Sequence, residues 1–144
     1  MSRPWLPWAV VCLVAFGCQR APETAPSGWV PDLYLRNEAR MALGQGVEEV
    51  TLKVAGLRVG EEDAYYRISE PVLVRDVLTF LTKACQKGDA LGHPKTCEGY
   101  LYYGRPERRY IRLYEEDHLM GPGWGKLWDR MRKEGKRIPP LDGG

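Results

Sequence analysis

The side chains that could carry chemistry in this chain are few and scattered. After the first residues the only serines are Ser27 and Ser69. Ser27 lies in a Pro- and Ala-rich stretch, and Ser69, just before Pro71, lacks the GxSxG context that presents a hydrolase serine to a base. The two histidines, His93 and His118, are too few for a zinc site, which needs three or four ligands at short spacings. Glu115, Glu116 and Asp117 precede His118, and this run reads most simply as a solvated turn. With 19 acidic residues a carboxylate pair can always be found, but no pattern singles out one suited to a hydrolase. Gly121-Pro122-Gly123-Trp124-Gly125-Lys126 places glycines before a helix signal, yet it lacks the length and the hydroxyl after lysine that hold phosphate and magnesium, so it reads as turn chemistry. The expectation is a non-enzymatic protein with no metal and no cofactor, a carboxylate-dependent envelope hydrolase being the least favoured alternative.

Two contact surfaces remain. Tyr100, Tyr102, Tyr103, Tyr110 and Tyr114 are interleaved with Arg105, Arg108, Arg109 and Arg112 around a turn. Tyr and Arg are the residues that most often anchor protein interfaces, and Tyr also stacks on sugars. The plain alternative is cross-strand pairing on a wet sheet. Alternation must place some of these side chains on an open face, but a register shift of one residue would reverse which ones. The candidate partner-binding set is Tyr100, Tyr102, Tyr110, Arg112 and Tyr114. The second surface is a basic stripe, Lys126, Arg130, Lys133 and Arg137, opposite an apolar face, which could meet anionic lipid or lipopolysaccharide. Asp129 and Glu134 stand at i,i+4 spacing to Lys133 and Arg130, so a self-paired, solvated face is the competing reading.

The elements that must position these residues follow from hydrophobic period. Asp32 is an N-cap for a helix over 32–43, with Leu35, Ala39, Ala42 and Leu43 on one side and Gly44 as a stop. Val50, Leu52 and Val54 alternate with Thr51 and Lys53, predicting a strand within 48–57, and a second short strand is expected over 65–68. From Pro71 to Cys85 the residues Val74, Val77, Leu78, Leu81 and Cys85 follow a helical period, giving the main core helix. Runs 100–103 and 109–115 flank Gly104-Arg105-Pro106-Glu107 as a hairpin, and a short strand is expected over 118–120. Trp124, Leu127, Trp128 and Met131 then mark a final helix that ends at Gly135. This order predicts an α+β fold, a two-layer sandwich with two main helices packed on one face of a mostly antiparallel sheet and the other face partly open.

The N-terminus has a different character. Arg3 supplies a positive start, residues 5–16 are apolar apart from Pro7, and Ala15-Phe16-Gly17-Cys18 closes the run. A dozen apolar residues fall short of the roughly 20 that a membrane-spanning helix needs, whereas the order fits an export signal. With Gly17 directly before Cys18, the segment resembles bacterial lipoprotein signals. The resemblance implies that residues 1–17 are removed, that Cys18 is acylated and becomes the new N-terminus, and that the protein is anchored by lipid in the cell envelope. Gln19 in place of Asp favours the outer over the inner membrane. Residues 18–28, with Pro22 and Pro26, read as a flexible tether, and 29–144 as a single domain.

With Cys12 in the leader and Cys18 acylated, Cys85 and Cys97 remain as a pair in an oxidising compartment, which predicts a disulfide worth about 3 kcal/mol by chain entropy. Their spacing is not that of a redox CxxC pair. The composition, 44% hydrophobic and 28% charged with a formal net charge of +2, is that of a globular domain without the basic excess of a nucleic-acid binder. The function expected on these grounds is that of a lipid-anchored envelope protein that binds another protein, as an accessory subunit or a small inhibitor or immunity-type partner. The alternative is a glycan- or lipid-binding module.

Overall fold

In a computed structural model, residues 25–90, 96–104 and 107–141 are described. Cys18, His93 and Arg105 lie outside the described residues. The first strand, β1 (Trp29–Pro31), leads into helix α1 (Leu33–Gly44). Asp32 caps that helix, its Oδ1 accepting from Leu35 N at 3.1 Å, as its position before the apolar stripe requires. Strands β2 (Val50–Val54) and β3 (Ala64–Ile68) follow. Helix α2 (Pro71–Leu81) begins with Pro71 in its first turn and Glu70 as its cap.

The apolar period overruns this helix. Thr82 closes it, and Cys85 belongs instead to β4 (Cys85–Lys87), which pairs with β1 as a small two-stranded sheet. Strands β5 (Gly99–Tyr103) and β6 (Arg109–Leu113) form the expected hairpin. Residues expected as a strand over 118–120 form a helical turn, α3 (Asp117–Met120), followed by helix α4 (Trp124–Glu134) and strand β7 (Lys136–Ile138).

The main sheet is antiparallel in the order β6-β5-β2-β3-β7. Its inner face contributes Val50, Leu52, Ile68, Leu101, Ile111 and Leu113 to one buried core. Among the described residues, helices close that face: α1 through Leu35, Ala39 and Ala42, α2 through Leu73, Val77 and Leu78, and α4 through Trp124, Trp128 and Met131. The fold is therefore an α+β two-layer sandwich. Buried Arg36 fastens α1 to the corner between α2 and β4, its guanidinium donating to Ala84 O at 2.8 Å and Lys83 O at 3.3 Å. Ala84 O also accepts from Asp32 N at 3.0 Å, a second tie between this corner and the start of α1. Among the described residues no helix is long and apolar enough to cross a membrane.

Candidate functional site

Strand register decides which side chains reach the face on which, among the described residues, no helix packs. One row across the sheet runs Ile138, Tyr65, Lys53, Tyr100, Arg112 from β7 to β6, and the next runs Lys136, Arg67, Thr51, Tyr102, Tyr110. Leu52, Leu101 and Ile111 occupy the alternate positions and point into the core. Of the candidate partner-binding residues, Tyr100, Tyr102, Tyr110 and Arg112 thus share the outer face. Tyr114 does not join them. It follows the end of β6, packs partly against the core, and its carbonyl accepts from Trp124 Nε1 at 2.6 Å. Tyr103, the hairpin tyrosine outside that set, turns inward at its alternate position.

The three outer tyrosines of the hairpin touch one another. Tyr100 meets Tyr110 edge-on with ring centroids 5.6 Å apart, Tyr102 lies opposite Tyr110 at 6.1 Å, and Tyr100 and Tyr102 are 6.3 Å apart. These are ordinary aromatic-pair distances, worth about 0.5–1.5 kcal/mol each beyond the area buried. Lys53, one strand inward, places its ammonium 5.4 Å from the Tyr100 centroid and 5.8 Å from that of Tyr65, and pairs with Asp63 at 3.4 Å. Burial opposes the charge of Lys53, but Tyr102, Tyr65 and Asp63 together outweigh it and hold its pKa above the usual lysine value. Tyr65, flanked by Lys53 and Ile138, is only 5% exposed, whereas Tyr110 is 46% exposed. The result is a tyrosine platform with a buried inner end and an accessible outer end.

Arg112 stands at that outer end. Its neighbours are phenols: a hydrogen bond from the guanidinium to Tyr110, with Tyr34 nearby, keeps it firmly cationic. Among the described residues no carboxylate forms an ion pair with it. Tyr34, on α1, reaches the edge of the sheet and donates to Tyr110 O at 3.4 Å, extending the aromatic surface past β6. Sequence reading missed Tyr34, Lys53 and Tyr65 as parts of this site, since they join it through strand and helix placement that local spacing does not encode. Only the alternation of Lys53 with Leu52 and Val54 signalled an outward side chain.

The basic stripe is not continuous. Arg130 is engaged by Glu134 at 2.9 Å and by Asp76 of α2 at 3.5 Å. Arg137 lies on β7 instead of on the helix, with its guanidinium carbon 5.4 Å from the Tyr66 centroid. Lys126 and Lys133 remain exposed on α4. Two of the four candidates are therefore committed within the domain.

Cys85 and Cys97 are separate thiols in the structure, the expected disulfide not being formed there. Cys85 is buried beside Phe80 and Gly121, and burial pushes its thiol up in pKa despite the charge of Arg36. Cys97 sits at the foot of the hairpin, its Sγ 3.0 Å from Gly99 O and 3.6 Å from Leu113 O. Different walls surround the two sulfurs.

Several carboxylates meet at one cleft. An open cleft of about 770 Å³ is lined by Trp29, Lys87, Glu115, Glu116, Asp117 and His118. Asp117 spans two backbone amides, Gly123 N at 3.0 Å and Gly125 N at 2.7 Å, and Glu116 lies 3.0 Å from His118 Nδ1. These acids come from one turn, not from opposing walls, so they do not bracket a bond in the manner of a glycosidase pair. Asp117 also explains the glycine-rich segment before α4. The amides that would face a bound phosphate already face a carboxylate. Among the described residues no group of three His, Cys, Asp or Glu is placed to hold a metal ion. Compared with protein-family models, with curated proteins and with solved structures, the chain matches none.

Proposed function

We propose that this chain is a lipid-anchored envelope protein, tethered through Cys18, that docks another protein on the open face of its main sheet. The role is non-enzymatic, that of an accessory subunit or of a small inhibitor or immunity-type partner, and the anchor favours the outer membrane. The observation that carries this reading is the contact among Tyr100, Tyr102 and Tyr110 on the sheet face turned away from the helices, with Arg112 beside them. Rigid aromatic rings supply contact area at low entropic cost, and a cation ringed by phenols is suited to a carboxylate on the partner. The near balance of charge over the whole chain argues against nucleic acid as the partner.

The test is a cross-linking pull-down from native membranes with the wild type, Cys18→Ser and the double variant Tyr110→Ala/Arg112→Ala, read by mass spectrometry. One dominant protein should be captured by the wild type and lost with the double variant, whose circular dichroism stays native. An unchanged set of captured proteins with the double variant would refute the docking face.

A further inference from the structure

On the opposite side of the molecule from the strand chemistry, α1, the end of α2 and the turn after α3 enclose a second cleft, of about 500 Å³. Its volume lies within the usual range for small-molecule sites. Phe80, Cys85, Gly121 and Pro122 form its apolar wall, and Pro26 borders it. Gly121 has φ +127°, which favours glycine, and it packs closely on this wall: a Cβ there would lie 3.3 Å from Phe80 Cζ and 3.6 Å from Cys85 Sγ. Arg36 frames the inner end while 3% exposed, held by the carbonyls of Lys83 and Ala84. Arg40 and Lys83 are exposed at the rim. Among the described residues that line this cleft none is acidic, in contrast to the neighbouring cleft that holds Glu115, Glu116 and Asp117.

An apolar wall under a cationic rim is complementary to a molecule with one apolar chain and an anionic head. We propose that this cleft binds a single-chain anionic amphiphile, its chain against Phe80 and Cys85 and its head beside Arg40 and Lys83. Position supports the same class of ligand. If Cys18 is acylated, as the function proposed above requires, the lipid attaches eight residues before Pro26, which limits the separation of anchor and cleft to about 28 Å of fully extended chain. The mouth is then held near a membrane surface, where such amphiphiles are found.

Titration calorimetry on the purified protein in detergent-free buffer tests the site without reference to the anchor. Dodecanoate should bind saturably, and dodecyltrimethylammonium, with the same chain and the opposite charge, at least tenfold more weakly. The surface variant Arg40→Glu/Lys83→Glu should lose roughly tenfold in dodecanoate affinity with its circular dichroism unchanged. Saturating dodecanoate should slow alkylation of Cys85 and leave Cys97 unaffected. Lysophosphatidylglycerol in place of dodecanoate separates the two sources of this chemistry, tighter binding assigning a lipid and weaker binding a free fatty acid. Equal affinity for the cationic and anionic chains, or a Cys85 alkylation rate indifferent to dodecanoate, would overturn the proposal. The variant Tyr110→Ala/Arg112→Ala should bind dodecanoate normally, so that failure of the sheet face and failure of the cleft are read separately.

Discussion

Tyr103 donates its hydroxyl to Glu38 Oε2 at 2.7 Å, joining β5 to α1 inside the protein. Arg109 completes the group, 3.3 Å from the other oxygen of Glu38. Burial, then the hydrogen bond to the carboxylate and its charge, push the phenol up to about 12.

The sign of the resulting pH dependence is fixed. The folded protein holds the Tyr103 proton more tightly than the unfolded chain, so the stabilisation is complete below the unfolded value of about 10 and is lost as pH rises toward 12. Denaturation midpoints measured from pH 8 to 12 should fall above pH 10, and the fall should be reduced in Tyr103→Phe. An identical alkaline slope in the variant would show that other groups control it.

Asp117→Ala removes the carboxylate that spans Gly123 N and Gly125 N at the start of α4. A lost cap of this kind costs about 1–2 kcal/mol, and the helix it supports carries Trp124 and Trp128 into the core. Urea denaturation followed by tryptophan fluorescence should show the loss, whereas Glu116→Ala, one residue earlier and exposed, should stay within about 0.5 kcal/mol of wild type.

Gly99→Ala should destabilise by about 1–3 kcal/mol, since the added Cβ would stand 2.7 Å from Lys53 O and 2.8 Å from Trp128 Cη2. Neither the β2 backbone nor a buried indole can retreat. A midpoint equal to wild type would mean that β5 shifts freely against β2.

Much of this arrangement was legible in the chain, and the exceptions have physical reasons. Asp32 announced α1, and Val74, Val77, Leu78 and Leu81 announced α2, because capping and a 3.6-residue period are local properties. The same period carried the expected helix on to Cys85, since an apolar residue fits a buried strand as well as a helix and nothing nearby marks the turn at Thr82. Strands β1, β4 and β7 have three residues each, too few for alternation to register. At the site, the hairpin tyrosines stood out by type, but their direction depended on register, and the partnership of Lys53 with Tyr65 and Tyr100 depended on the strand order β5-β2-β3. Strand order comes from long-range packing that sequence spacing does not carry.

Thiol chemistry separates the two cysteines. Iodoacetamide added to the native, unreduced protein should modify Cys97 first and Cys85 slowly, because Cys85 is 2% exposed and its thiol is raised in pKa by burial. Peptide mapping before and after reduction reads the order. If neither thiol reacts until a reductant is added, Cys85 and Cys97 are joined by the disulfide that the export signal led one to expect.

The measurement that bears most directly on the docking face is site-specific photo-cross-linking in intact cells, with Tyr102→p-benzoylphenylalanine on the sheet and Lys133→p-benzoylphenylalanine on α4. The account predicts one discrete protein adduct from position 102 and none from position 133. An adduct from position 133 alone would contradict it and move the contact surface to the last helix.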